Sequence, residues 1–498
     1  MNKKIMRQTI ALPAVILLAA CADDGFDKET WVTSVKNSQL ENPSEISISK
    51  TSTSDTTKTV VFSWPVVHGA GGYLMSIVNI SDPANPVNVV TDSLIDRCSV
   101  AMELPNEETY NFCLTTAANT KYNNKQAAEA SVTKFDTYVP SMEIPAGEEI
   151  SAWVAANLTY SDAEQGFTLT AGETYTLDGA LDFGLNTVEF RGDKNNAPTI
   201  IVGENGYITT QGGLKIRDMN IDCSASTARG LLTLPSEPDE KISTEALGYK
   251  KQGANQNGFV IQKAITFQNC RIKALAKSLL WASEQNWTLC EFCIKDCIIE
   301  SVNTTSAYFI DMYHDGGNGL IQKLTISKST IYSSVRNESE SYFLRFSNPT
   351  FPWKVLGTSN NFLEWTLESS SFLRINPKKD FANNIPNTQN EGKIWAKFTD
   401  CVFFDTSKIY QALGTQWVKT TTNNFLSCSD FCSANSTDYG PSGRTDSNGN
   451  YYTTFDEEAE FSDEQLKSID FSKPLCGLNL APSGLAAEAK SGDPRWFE

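Results

Sequence analysis

The sequence predicts an all-β protein whose larger part is a solenoid of stacked coils. The first observation is one short line that occurs six times between residues 214 and 403. It reads apolar, any, apolar, any, a polar corner, a small residue or Met, any, apolar. The copies begin at Leu214, Ile265, Phe292, Leu324, Trp365 and Ala396. Short strands that recur around a polar corner indicate repeated coils, each covered by its neighbours.

The second observation is the spacing of the corners, which is 51, 27, 32, 41 and 31 residues. The corner residues are Asp218, Asn269, Asp296, Lys328, Ser369 and Asp400. A coil of three short strands needs somewhat more than about 20 residues, so the shorter steps hold one coil each. The two long steps carry polar insertions at residues 225–257 and 337–361. In repeat proteins such insertions cluster on one face, which is often the binding face.

The third observation is the use of cysteine. Of the 12 cysteines, one follows the leader described below, and the remaining odd number cannot all pair with one another. The position after the corner is shared by Met219, Cys270, Cys297, Ser329, Ser370 and Cys401. This pattern predicts a buried ladder in which free cysteine packs as a small hydrophobe. Cys290-x-x-Cys293 has no second cysteine pair or nearby histidine, so no metal site is predicted there.

Residues 1–20 have the composition of a secretory signal peptide: a basic start, an apolar run and a small-residue end at Leu18-Ala19-Ala20. Cys21 follows directly, and this layout resembles the bacterial lipobox, which implies cleavage and lipidation at Cys21. Asp23 and Asp24 come next, and this is similar to the surface-export signal of Bacteroidota lipoproteins. The resemblance implies a lipid-anchored protein on the outer face of the outer membrane. Residues 21–45 are then a polar linker.

Residues 46–139 alternate strand signals with turns. Trp64 stands on an early strand, Gly71-Gly72-Tyr73 leads another, and Leu104-Pro105 precedes the strand that begins at Tyr110. This arrangement resembles a fibronectin type III module, which implies a β-sandwich with Trp64 and Tyr73 in its core.

The sequence pattern of residues 140–405 differs from that of residues 46–139. Strand-like segments on both sides of Ala171-Gly172 lead into the first copy of the line, and this opening resembles right-handed parallel β-helices of the pectate-lyase type. Residues 406–498 are predicted to add a final coil near Asn424 and a cap for the open end. The ending Gly492-Asp493-Pro494-Arg495-Trp496 is similar to the terminus of Bacteroidota lipoproteins of unknown function that join these two kinds of domain.

A second recurring line predicts the candidate binding site. It occurs at residues 278–282, 308–312 and 342–346, and it stacks Trp281, Asp311 and Arg345 in one column. Adjacent strands lie about 4.8 Å apart, so the three side chains could contact one continuous ligand. Strand parity leaves two alternatives: either Leu280, Ile310 and Leu344 point inward, or Leu279, Phe309 and Phe343 do. Two charges in three positions favour the first, in which the column faces solvent.

A polysaccharide is the ligand that these residue types favour. Trp281 can pack on a sugar face, and Arg345 can pair with a uronate carboxylate. Asp311 can accept bonds from sugar hydroxyls or bind Ca²⁺, although one carboxylate is far short of the ~6–8 oxygen ligands of that ion. The alternative is a surface ion pair beside a packing tryptophan. Tyr313 and Trp353 are further glycan-binding candidates.

The sequence therefore predicts a surface-tethered lipoprotein that binds an acidic polysaccharide, and the resemblance to the Bacteroidota lipoproteins implies that this glycan is pectin-like. Its expected partners are this glycan, the outer membrane and other glycan-uptake proteins. A net charge of −18 without a basic stripe argues against nucleic acid. One alternative is a polysaccharide lyase or hydrolase, for which Asp311, Arg345 and Asp315 form a partial set without a companion acidic cluster; no catalytic residue or cofactor is assigned. The other is a structural or adhesion protein.

Overall fold

The computed structural model describes residues 35–53, 56–249, 258–315, 319–337, 339, 341–347, 362–377, 381–383, 393–406, 424–426, 428–432, 452–453 and 461–498. The chain divides into two compact units, Met1–Val139 and Pro140–Glu498. The described residues are predominantly β with few helices, which confirms the predicted all-β class.

The first unit has seven strands: β1 (Ser47–Ser52), β2 (Thr57–Ser63), β3 (Tyr73–Asn79), β4 (Val87–Ile95), β5 (Ser99–Pro105), β6 (Thr109–Thr116) and β7 (Ser131–Asp136). They form two antiparallel sheets, β1-β2-β5 and β4-β3-β6-β7. Along β2 and β6 every second residue is buried, and these residues of both sheets share one core. Phe62 stacks on Phe112 at 4.2 Å, and the rings of Trp64 and Tyr73 meet edge to face at 5.4 Å.

The second unit begins with strand β8 (Ser141–Ile144) and helix α1 (Ile150–Asn157). The Glu149 carboxylate accepts the Ala152 N–H at 2.7 Å and so caps the helix. Ile150 and Val154 are buried in the same core as the strands, and α1 contacts the strands β10 (Thr174–Leu177) and β11 (Ala180–Asp182). The helix therefore covers the first coils of the unit.

The remaining strands through the corners are β9 (Gln165–Leu169), β12 (Val188–Arg191), β13 (Thr199–Val202), β14 (Tyr207–Thr209), β15 (Leu214–Asp222), β16 (Leu232–Thr233), β17 (Phe259–Ile261), β18 (Ile265–Leu275), β19 (Leu280–Trp281), β20 (Trp287–Lys295), β21 (Ile298–Ser301), β22 (Ile310–Asp311), β23 (Leu320–Ser327), β24 (Thr330–Ser333), β25 (Leu344–Arg345), β26 (Phe362–Glu368), β27 (Ser371–Leu373), β28 (Ala382–Asn383), β29 (Lys393–Thr399), β30 (Val402–Thr406), β31 (Asn424–Leu426), β32 (Cys428–Cys432) and β33 (Tyr452–Thr453).

All strand pairs of the second unit's two sheets are parallel, and each pair joins strands of successive coils. The main stack is a sheet of 19 strands, and the side stack is a sheet of 7 short strands in the order β11-β14-β16-β19-β22-β25-β28. In the main stack the six copies of the recurring line pair residue for residue, Leu214 with Ile265 and so on to Trp365 with Ala396. Each step between copies is therefore one coil, and β31 and β32 extend the stack further.

Each corner residue has a left-handed backbone, with φ between 47° and 58° at Asp218, Asn269, Asp296, Lys328, Ser369 and Asp400. Asp and Asn tolerate this conformation better than other non-glycine residues, which explains their frequency at the corner. The next residue is fully buried in every coil. In five of the six coils its thiol or hydroxyl donates to the carbonyl two residues earlier, as from Cys297 to Lys295 at 3.2 Å and from Ser370 to Glu368 at 2.7 Å. The cysteines thus belong to the predicted packing ladder.

The C-terminal residues 461–498 pack on the outside of the main stack, where Ile298, Tyr332, Leu373 and Val402 form a second apolar cluster with them. This segment holds the 3-10 turns Pro474–Gly477 and Pro494–Trp496 and the short helix α2 (Gly484–Glu488). Two more 3-10 turns lie at Thr120–Tyr122 and Glu240–Ile242. Among the described residues, no helix has the length and apolarity needed to span a membrane.

Candidate functional site

The predicted column lies in the side stack. Trp281 pairs with Asp311, and Asp311 pairs with Arg345, so the three residues occupy one register position on β19, β22 and β25. The same register places Thr233 before Trp281 and Asn383 after Arg345. The sequence reasoning missed these two positions because the recurring line is absent around them, and only strand pairing identifies them.

The parity expectation needs a correction. Leu280, Ile310 and Leu344 point inward as expected, but Leu279, Phe309 and Phe343 are buried as well. The strands are only two residues long, so the residue before each strand turns into the core instead of alternating outward. The Phe309 and Phe343 rings stack at 4.7 Å in the interior. Trp281 and Arg345 are half-buried, whereas Asp311 is only 6% exposed, so the column does not simply face solvent.

A cleft of about 760 Å³ opens over Trp281 and Asp311 of this column, within the size range of ligand pockets. Its floor includes Thr209, Thr233, Trp281 and Asp311. One wall is residues 228–237, which belong to the first insertion predicted from the sequence. Gly230 lies directly against the tryptophan, since a Cβ there would come within 2.9 Å of the Trp281 Cβ. The insertion therefore folds over the floor.

The ionisable residues around the cleft are of both signs. Among the described lining residues, the carboxylates are Asp182, Glu237, Glu284 and Asp311, and the cations are Arg229 and Lys277. Arg229 lies over the ring of Tyr207 with its Cζ 5.0 Å from the ring centroid. Such a guanidinium on an aromatic face is held in place while its N–H groups remain available. Asp182, Tyr207, Arg229 and Lys277 were not candidates in the sequence, since no motif marks them.

Arg345 lies between two aromatic rings at the other end of the column. Its Cζ is 3.8 Å from the ring centroid of Tyr313 and 4.6 Å from that of Tyr308. Tyr308 in turn is 5.8 Å from Tyr342, the equivalent residue of the next coil. The structure therefore brings the predicted candidates Arg345 and Tyr313 together. Stacking fixes the plane of the guanidinium, which suits bidentate recognition of a carboxylate.

Asp311 is the most perturbed acid of the site. Burial raises the pKa of its carboxyl to about 6, and the Tyr313 N–H and the charge of Arg345 oppose this effect only in part. The Tyr313 N–H donates to Oδ1 at 3.1 Å, while the Arg345 Nη1 is 3.9 Å from Oδ2. The separation shows a loose ion pair rather than a close bidentate one. A half-paired buried carboxylate in a cleft is typical of functional sites.

The remaining candidates lie apart or outside the described residues. Asp315 is exposed and accepts a hydrogen bond from the Tyr313 hydroxyl at 3.2 Å. Trp353 and Cys21 lie outside the described residues. Trp287 is fully buried and donates from Nε1 to the Pro235 carbonyl at 3.2 Å. It packs under the cleft wall and is not available to a ligand.

The described residues give no donor set for a metal. No group of three or more His, Cys, Asp or Glu side chains among them is placed to hold an ion. Nine cysteines whose side chains the structure describes, Cys290 and Cys293 among them, are free thiols. Burial raises the pKa of Cys290 and of Cys293 to about 11, which keeps these thiols protonated at neutral pH.

Comparison with known proteins finds two adjacent domain families. DUF4992, described as a domain of unknown function, matches residues 2–176, and DUF4957, also a domain of unknown function, matches residues 173–334. No curated protein and no solved structure matches the chain. All the cleft residues named above fall within the second match, whereas Arg345 and the C-terminal segment lie beyond both. The chain is thus similar to two domain families that carry no assigned activity.

Proposed function

We propose that this protein is a lipid-anchored surface protein that captures an acidic polysaccharide in the cleft over Trp281 and Asp311, with Arg345 next to it on the following coil. The fine architecture belongs to the same proposal: a fibronectin type III-like sandwich as spacer, a right-handed parallel β-helix of the pectate-lyase type as binding body, and a C-terminal cap. The two antiparallel sheets with one core support the first part, and the in-register parallel coils support the second.

The observation that carries the proposal is the combination of one half-buried tryptophan with ordered polar groups in a single cleft. The face of Trp281 suits the apolar face of a sugar ring. The surrounding carboxylates and threonines suit sugar hydroxyls, which need acceptors and donors close together. Arg345, Arg229 and Lys277 are the groups that would pair with uronate carboxylates.

Affinity electrophoresis and calorimetry with polygalacturonate, methyl-esterified pectin and a neutral glucan test the proposal. We expect Trp281→Ala to abolish binding of the acidic chain and Arg345→Gln to weaken it by about tenfold, the contribution of one charge-assisted hydrogen bond. Arg336→Gln is the matched control, since Arg336 pairs with Asp405 at 3.1 Å outside the cleft. Equal binding of neutral and acidic chains would contradict the preference for uronates. Absence of binding to any of the glycans would contradict the proposed function itself.

A lyase or hydrolase is the second candidate, and the raised pKa of Asp311 favours it, because a carboxyl that titrates near 6 can act as acid or base at neutral pH. Incubation with the same polymers separates the candidates. Unsaturated products absorb in the ultraviolet, and new reducing ends report hydrolysis. Turnover that Asp311→Asn abolishes would make the cleft catalytic. A structural or adhesion role stays the third candidate, and binding to protein surfaces without glycan would favour it.

A further inference from the structure

The C-terminal residues Gly492–Trp496, here called the latch, bind across the corners of several successive coils. The Gly492 N–H donates to the Asp400 carbonyl at 2.7 Å, and the Asp493 N–H donates to the Ser371 hydroxyl at 3.0 Å. The Arg495 guanidinium donates to the carbonyls of Asp296, Cys297 and Lys328 at 2.9–3.1 Å. These partners belong to four consecutive copies of the recurring line, so one short peptide contacts four coils.

The latch fits because the corners expose acceptors. Strand pairing is interrupted where the backbone turns left-handed at Asp296, Lys328 and Asp400, and carbonyls at these corners accept bonds from outside the sheet. Gly492 is required at its position: its φ is 109°, and a Cβ there would come within 2.6 Å of the Ser371 Oγ. The surface formed by these corners therefore accepts only a peptide with this left-handed glycine as well as these side chains.

The charged side chains of the latch, Asp493 and Arg495, pair with each other where the latch contacts the corners. Asp493 has no exposed surface, and its carboxylate accepts from the Thr330 hydroxyl at 2.8 Å and from the Arg495 guanidinium. The Trp496 Nε1–H donates to the same hydroxyl at 2.8 Å. Burial opposes the charge of Arg495, but the bond and charge of Asp493 outweigh this and raise the pKa of Arg495 above its usual value. Recognition is therefore polar and side-chain specific.

The short connection of residues 488–490, just before the latch, does not share these contacts. Glu488, Ala489 and Lys490 are exposed, whereas Ser491, Gly492 and Asp493 are buried. The latch is therefore attached through an exposed connection and seated by its own bonds. Its partners lie 92 to 199 residues earlier in the chain, so the site forms only after the coils have stacked.

We propose that the corners of these four coils form a peptide-binding site for the sequence Gly-Asp-Pro-Arg-Trp, which the chain's own C-terminus fills as a separable latch. The site requires a buried carboxylate, a guanidinium that reaches three carbonyls and an indole N–H. The coils that it joins include those that carry Asp311 and Arg345. The latch fixes their stacking from the corner side and uses no residue of the cleft.

Peptide complementation tests the latch. A variant that ends at Lys490 should melt at a lower temperature than the full chain, and its backbone amides at residues 296–402 should exchange faster. A synthetic peptide of residues 491–498 should bind this variant and restore both properties. The same peptide with Arg495→Gln should bind at least about tenfold more weakly. A truncated protein that is as stable as the full chain and ignores the peptide overturns the proposal.

If the truncated variant does not fold, cleavage of the folded protein gives the decision. A protease site inserted at the exposed residues 488–490 would allow the connection to be cut after folding. We expect the cut peptide to stay bound through gel filtration and to exchange with labelled free peptide. Immediate loss of the peptide with unchanged amide exchange at residues 296–402 overturns the proposal. Cutting an uninserted protein under the same conditions is the control.

Discussion

Two buried carboxylates of the second unit have surroundings that differ: Asp493 lies at the corners of the main stack, and Asp311 lies in the cleft on the side stack. At the corners, Asp493 is fully buried and accepts from a hydroxyl and from the guanidinium of Arg495, which itself donates to three carbonyls. In the cleft, Asp311 is 6% exposed, and the Arg345 Nη1 is 3.9 Å from its carboxylate, with the Arg345 guanidinium held between two tyrosine rings. The coils that carry the two sites overlap, yet only the corner site is electrostatically complete.

The difference separates stability from binding. A buried charge with a full set of partners holds elements together, whereas a buried charge with partial partners costs stability. Such incomplete sites persist where a ligand supplies the missing partners, and they are expected where local rules for stability are broken. The corner face is thus built to close the stack, and the cleft face is the candidate for recognition.

The largest expected effect is on the corner face. Asp493→Ala should lower the free energy of unfolding of the second unit by about 3–5 kcal/mol, because it removes the fully buried carboxylate of the pair and leaves the partly buried Arg495 charge without it. Asp463→Ala is the matched control: Asp463 pairs with Arg374 at 2.8 Å but is 87% exposed, so the loss should stay below about 1 kcal/mol. Denaturant unfolding measures both. Equal losses would show that the corner pair is no stronger than a surface pair.

Removal of the carboxylate charge in the cleft should stabilise the protein, the opposite of the effect at the corners. Because the pKa of Asp311 is raised to about 6, the folded state keeps a proton that the unfolded state has lost between pH of about 4 and about 6. Stability therefore falls as the pH rises through this window. Asp311→Asn should stabilise the protein by about 2 kcal/mol at pH 7, with no gain below pH of about 4.

Thermal unfolding of the wild type and of Asp311→Asn from pH 3.5 to 8 checks this sign. Asp315→Asn is the matched control, because Asp315 is an exposed carboxylate on the loop that follows strand β22. If the wild type is more stable than Asp311→Asn at pH 7, Asp311 belongs to a stabilising ion pair and does not differ from Asp493 in this respect.

The buried position after each corner tests whether cysteine serves only for packing there. Cys297→Ser should cost less than about 1 kcal/mol, because Ser329 and Ser370 already fill the same position and donate to the same kind of carbonyl. Cys297→Val should cost about 1–3 kcal/mol through overpacking of a fully buried site. Denaturant unfolding of the two variants compares them. A serine variant as damaged as the valine variant would give the thiol a role beyond packing.

The smallest effect concerns the corner backbone. Lys328 has a φ of 47°, a conformation that asparagine tolerates better than lysine. Lys328→Asn should therefore stabilise the second unit by about 0.5 kcal/mol, while its carbonyl still accepts from Arg495. Lys323→Asn on strand β23 is the control and should be neutral or slightly destabilising. Differential scanning calorimetry resolves the two shifts.

Much of the scaffold could be predicted because its signals are local. The corner and the small residue after it recur in every copy, and each copy pairs with the next in the predicted register. The Trp281–Asp311–Arg345 alignment followed from the same logic. The burial of Asp311 and of Phe309 did not, because side-chain alternation fails in a strand of two residues.

By itself, the sequence determined the coils, their corners, the cysteine ladder and the column on the side stack, since each depends on a pattern that repeats within a few residues. Only the tertiary structure decided which buried charges are satisfied. Asp493 meets Thr330 across 163 residues, and the wall at residues 228–237 covers Trp281 from a different coil. Such contacts depend on how distant coils stack, and no local pattern records which corner or cleft a distant side chain will reach.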